Sequence, residues 1–157
     1  MPDEKPVTEP AVIPHLVVSD SKAAISFYEK AFGAESLGVV ATPDGKVMHA
    51  AVSINGARIF LNDDFPEFCE GKQSTPLALG GSPVTIHLYV PDADAAFARA
   101  VEAGAEVAMP LEDQFWGDRY GVVKDPFGHQ WSIAHHVREV SPEALAEAME
   151  TFGSSAG

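Results

Sequence analysis

The strongest constraint on this chain is that it repeats itself. His15-Leu16-Val17-Val18-Ser19-Asp20 lies over His87-Leu88-Tyr89-Val90-Pro91-Asp92 at an offset of 72 positions. At the same offset, Asn55-Gly56-Ala57-Arg58-Ile59-Phe60-Leu61 lies over Phe127-Gly128-His129-Gln130-Trp131-Ser132-Ile133. Between these words, Phe32-Gly33-Ala34-Glu35 matches Ala103-Gly104-Ala105-Glu106 after a one-residue slip. Three matches in one order read as a duplication. Repeats of this length that build one domain each bury what the other exposes.

Each copy carries the same succession of local signals. In the first, Val12–Ser19 is apolar and β-branched, and Pro14 suits a strand start or an edge. Asp20 and Ser21 offer an N-cap. Ala24, Ile25, Tyr28, Ala31 and Phe32 follow at helical spacing, and Gly33 closes the helix. Strands are then expected over Leu37–Ala41, Lys46–Ile54 and Ala57–Asn62, turned by Pro43-Asp44-Gly45 and Asn55-Gly56. The second copy predicts a strand over Val84–Val90, a helix from the Asp92 cap to Ala103, and strands over Val107–Leu111, Asp118–Lys124 and Gln130–His135. The expected division is a flexible tail at 1–10 and one domain over 11–136, followed by a C-terminal helix and tail at 137–157. Within the domain, module one covers 11–64, an acidic linker rich in turn formers covers 65–82, and module two covers 83–136. The last helix has Ser141 as cap and Pro142 at its first position. Leu145, Ala148, Met149 and Phe152 share the side that must dock on its own domain or on a partner.

Composition narrows the classes open to such a fold. Hydrophobic residues make up 46% and charged residues 21% of the chain, which is globular. No apolar run approaches the ~20 residues that span a bilayer, and the N-terminus has no basic and apolar signal-peptide pattern. The net charge of −13 argues against nucleic acid, whose binding rests on neutralising phosphates with Lys and Arg. Acidic residues spread along the chain read mainly as solubility, and would favour a cationic partner only if gathered at a cleft. Cys69 is the single cysteine, so no disulfide framework exists, and a reducing cytoplasm is the expected compartment. No P-loop, CxxC motif or Ser-His-Asp ordering is present. Asp63, Asp64, Glu67 and Glu70 lack the spacing of a calcium loop.

The words beginning at His15, with Phe27-Tyr28 and Phe32-Gly33-Ala34, resemble the opening motif of the vicinal oxygen chelate superfamily of glyoxalases, bleomycin-resistance proteins and extradiol dioxygenases. Asp125-Pro126-Phe127-Gly128-His129 resembles its closing motif, and the likeness runs from about Val12 to His135. The run Gln114–Gly121 followed by Asp125–Gly128 is similar to the PhnB-like branch. The resemblance implies an α+β fold of two β-α-β-β-β modules whose sheets form a cupped, barrel-like cleft. It also implies a homodimer and, in metal-using members, four His, Glu or Gln ligands from the first and last strands of each module.

In this chain the four ligand positions implied by the resemblance hold Ile13, Phe60, Thr85 and Ser132. None offers an imidazole, a thiolate or a carboxylate, so the usual metal site is not expected. His15 and His87 stand two residues further along their strands, on the same face by alternation. Three roles are open to this pair: metal chelation, pocket lining with one acting as general base, or plain structure. The family register turns Tyr120 and Val122 into the cleft with Met48 and Ala50, and turns Arg119 and His49 away. Arg119 either grips an anionic ligand or pairs with Asp118 or Glu112. Trp116 and Tyr120 either line the pocket or pack in the core, His129 is expected to be exposed, and His135-His136 to end a strand. The expected function is a cleft binding a small molecule through His15, Phe60, Thr85, His87, Trp116, Tyr120 and Ser132, with no metal ligand and no assigned catalytic residue. The competing expectation is a metal-dependent lyase, isomerase or dioxygenase in which a divalent ion is held partly by the His pair. Neither a nucleic acid nor a membrane is an expected partner.

Overall fold

The computed structural model describes residues 12–155, so the tail expected at 1–10 lies outside the described residues. Module one runs β1 (His15–Val18), α1 (Ser21–Phe32), β2 (Glu35–Ala41), β3 (Val47–Ile54) and β4 (Ala57–Asp63). A 3-10 turn at Pro66–Phe68 and a short helix, α2 (Pro76–Leu79), occupy the segment between the modules. Module two repeats the order as β5 (Thr85–Tyr89), α3 (Ala93–Ala103), β6 (Glu106–Asp113), β7 (Asp118–Lys124) and β8 (Gln130–His136). A last helix, α4, covers Pro142–Ser155.

The two sheets have matching topology, β1-β4-β3-β2 and β5-β8-β7-β6. The first strand of each module is parallel to the last, and the other neighbours are antiparallel. The sheets remain two separate four-stranded units, so the α+β architecture is cupped without closing. β6 is longer than its pattern suggests. It tolerates Pro110 because it is an edge strand, with an irregular register around Met109 and Glu112.

Equivalent elements begin with equivalent chemistry. The Asp20 carboxylate accepts from Ala23 N at the start of α1, and Asp92 accepts from Ala95 N at the start of α3. A second acceptor arrives from the last strand of the same module. Asp63 Oδ1 takes the Ser21 N–H at 2.7 Å, and His135 Nδ1 takes the Ala93 N–H at 2.8 Å. A carboxylate and an imidazole thus do one job at repeat-related positions.

Helices α1 and α3 pack together, and each covers one face of its own module's sheet. Leu16, Val18, Val52, Ile59 and Leu61 line that face in module one, and Val123, Trp131 and Ile133 in module two. Asp125 lies buried at the junction. It accepts from Tyr28 Oη (2.7 Å), Trp131 Nε1 (2.9 Å), Phe127 N (2.9 Å) and His129 N (3.0 Å), which satisfies its charge. Burial, followed by the charge and hydrogen bond of Asp125, holds the Tyr28 hydroxyl well above the usual tyrosine pKa.

Two further bonds join the modules with near two-fold symmetry. Asn55 Nδ2 in the β3–β4 turn donates to Tyr89 O, and His129 Nε2 after the β7–β8 turn donates to Val17 O. The two carbonyls are repeat equivalents. His129 is therefore buried, at 9% exposure, and not exposed as its turn position suggests. The packing of one module's turn on the other's first strand decides this, which a local motif does not report.

Candidate functional site

Strand alternation sends one row of side chains from each sheet away from the helices. In module one the row includes His15, His49, Phe60 and Asn62. Register pairs His15 with Phe60, and their rings meet edge to face at 6.1 Å between centroids. His49 stands 4.7 Å from Phe60 and 6.3 Å from His15. In module two His87 pairs in register with Ser132, and its Nδ1 lies 2.6 Å from Ser132 Oγ. Around His87 are Tyr89, edge-on at 4.4 Å, and Tyr120, stacked at 5.9 Å. Trp116 meets Tyr120 edge to face at 5.5 Å.

His49 belongs to this face, contrary to the parity expected for it. Ala50 is fully buried against the helix side, so Ala50 does not face the cleft. The reason is one residue of loop length. Ala51 pairs with Phe60, whereas Val122 pairs with Ser132, so the module-two hairpin is one residue longer. β3 therefore corresponds to β7 at an offset of 71, and His49 is the repeat counterpart of Tyr120. The one-residue slip visible near Gly33 and Gly104 was the available signal.

The first strands bring one histidine of each cluster to a common groove. His15, Thr85 and His87 line one groove of about 560 Å³, with Pro14, Leu16, Ser82, Val84, Ile86 and His129. A neighbouring groove of about 490 Å³ is lined by Ile13, Arg58 and His87 among others. Thr85 is exposed at the groove, and Ser132 is buried beneath His87, where it fixes the ring. Phe60 touches His15, and Trp116 touches Tyr120, but Phe60, Trp116, Tyr120 and Ser132 line neither groove.

A polar network supports the aromatic row of module two. The buried Asp118 carboxylate accepts from Tyr89 Oη at 3.1 Å and lies 3.1 Å from His136 Nδ1. Burial pushes the Asp118 carboxyl up. Hydrogen bonds from His136, Tyr89 and Trp116 outweigh it and hold the group below the usual carboxylate value. Its hydrogen bond to His136 leads the causes that raise the imidazole, helped by Glu139 and opposed by desolvation. Sequence reasoning missed Asn62, Tyr89 and Asp118. Asn62 and Tyr89 stand two residues beyond Phe60 and His87, so the same alternation that marked those residues points to them as well.

Arg119 faces the helix side and pairs with Asp94 and Asp113, at 2.9 and 3.1 Å, rather than with Asp118 or Glu112. These carboxylates push its guanidinium pKa upward. Its geometry is that of a brace between β7, β6 and the start of α3. Among the described residues, no group of three or more His, Cys, Asp or Glu side chains is arranged to hold a metal ion. The donors at the four superfamily ligand positions do not fit one either, because they are hydrocarbon or hydroxyl groups.

A sequence model of the glyoxalase/bleomycin resistance protein/dioxygenase superfamily matches residues 11–133. The chain belongs to this superfamily. An uncharacterised protein of Mycobacterium bovis is 59% identical over 145 residues, spanning 92% of this chain and 95% of the relative. The X-ray structure of a gene product of Arabidopsis thaliana is 32% identical, with a TM-score of 0.63 over 82% of this chain and 99% of the other. A PhnB protein from Bacillus cereus shares the superfamily fold, with a TM-score of 0.61 at 17% identity over 80% of this chain and 98% of its own. Among the described residues, no helix is long and apolar enough to cross a membrane.

Proposed function

We propose that this superfamily member is a PhnB-like, cytoplasmic cleft protein that binds a planar small molecule without the usual metal. The observation carrying this proposal is the replacement of chelating positions by an aromatic surface. Where metal-using members place ligands, this chain has Ile13, Phe60, Thr85 and Ser132. Rings gather there in two clusters, His15 and His49 around Phe60 in module one, and His87, Tyr89, Tyr120 and Trp116 above Ser132 in module two. Ring faces and edges in each cluster favour flat ligands by stacking and edge contacts.

His15 and His87 on one groove supply two imidazoles, fewer than the three or four protein ligands of a catalytic or structural metal site. The His pair accordingly serves as polar lining in this proposal, and no catalytic step is assigned to it. The acidic chain is not proposed to bind nucleic acid or a membrane surface. The homodimer implied by the family is retained as part of the proposal.

Calorimetric titration with 2-naphthol, a planar probe of suitable size, tests the cleft. Binding is expected, and Tyr120→Ala should weaken it about tenfold or more through loss of ring contact. Arg119→Ala should leave it within about twofold, because that residue braces the opposite face. Equal binding by the wild type and Tyr120→Ala would remove the assignment.

A further inference from the structure

The hydrogen-bond pattern around His15 specifies which of its nitrogens is left as an acceptor. Asn62 Nδ2 donates to the Asp63 carbonyl at 2.7 Å. That carbonyl only accepts, so the amide orientation is fixed and Asn62 Oδ1 is the atom 2.5 Å from His15 Nε2. An amide oxygen only accepts as well. The neutral ring of His15 must therefore carry its proton on Nε2, which leaves Nδ1 as the acceptor of an exposed residue that lines the groove.

His87 is held the other way round. Its Nδ1 is taken by Ser132 Oγ, so Nε2 is its remaining nitrogen. The repeat has thus placed two histidines at equivalent positions and anchored them through opposite nitrogens. The cause is visible in the last strands, where Asn62 corresponds to Ala134 and Phe60 to Ser132 at the 72-residue offset.

We infer that His15 is a specificity-determining acceptor, and that the cleft selects flat aromatic ligands bearing an O–H or N–H donor at one edge. The inference rests on the aromatic cleft proposed above and adds the chemistry of the ligand's edge. A neutral imidazole nitrogen gains a hydrogen bond from such a ligand, whereas an ether or a bare hydrocarbon edge leaves it desolvated and unpaired. Titratable neighbours of His15 are His49 on β3, His87 on β5 and His129 beyond the β7–β8 turn.

The test compares 2-naphthol with 2-methoxynaphthalene, which keeps the ring system and removes the donor. Calorimetry at pH 8 should give about a tenfold preference for 2-naphthol, the usual worth of one net hydrogen bond. His15→Phe should bring the two affinities to within about twofold while the aromatic surface still binds both. Nitrogen-15 NMR of histidine-labelled wild type should show His15 protonated at Nε2 alone. Equal affinity for the two probes in the wild type, or a preference that survives His15→Phe, overturns this inference and leaves the aromatic cleft standing. Failure of both probes to bind overturns the cleft proposal and this inference together.

Discussion

Asp118 and His136 form an ion pair whose effect on stability depends on pH. The hydrogen bond with Asp118 raises the His136 pKa in the folded chain. Its contribution is therefore complete below the unfolded His value and is lost as pH rises through the folded value. Asp118 moves the other way, so its contribution is present above the unfolded Asp value and is lost as pH falls through the folded one. Both are in force between about pH 4 and about pH 6.5, the ordinary values of the two groups. His136→Gln should lower Tm most within that window and converge on wild type above it, as read by thermal melts across pH. A Tm difference that stays constant with pH would mean the pair contributes no charge term. Residues of this kind were hard to see in advance, because Asp118 reads as a strand start and His136 as a strand end. Only the β7–β8 register, which sets Asp118 opposite His136, joins them.

The loop before β7 holds its shape at Gly117, which aims Trp116 at Tyr120. Gly117 has φ +106°, and a Cβ there would come within 2.2 Å of the Arg138 carbonyl oxygen. Its own carbonyl accepts from Val137 N and Arg138 N, which ties the segment leading to α4 back onto the loop. Gly117→Ala should cost about 3 kcal/mol and lower Tm by roughly 6–12 °C, from strain at a positive φ and the backbone clash. A melt within a degree of wild type would show that the loop relaxes freely. Most elements here were legible from the chain. The Asp20 and Asp92 caps, the Gly33 stop and the Asn55-Gly56 turn act within a few residues of themselves. What was not legible depended on distant partners. Asp125 meets Tyr28 across 97 positions. His49 changed faces because a hairpin elsewhere is one residue longer.

At the scale of the whole molecule, the duplication builds a shared groove but leaves apolar surface uncovered. Leu37, Val39 and Val40 on β2, Met48 on β3, and Val107 and Met109 on β6 are all exposed. On α4, Leu145 and Ala148 are half-buried, whereas Met149 and Phe152 remain exposed. Covering such surface favours association, with about 25 cal/mol per Å² as the gross gain before the entropy costs of association. The proposed homodimer should appear as twice the chain mass in light scattering at micromolar concentration, and Val40→Asp should shift it toward the monomer. A monomeric wild type at that concentration would remove the dimer. Under the proposed function, the superfamily fold here binds its ligand by aromatic contacts in place of a chelate. Titration of 2-naphthol into chelator-stripped protein, repeated after adding a divalent metal, tests it most directly. The same affinity is expected in both, with no metal-dependent rise in Tm. Binding that appears only with the metal would contradict it.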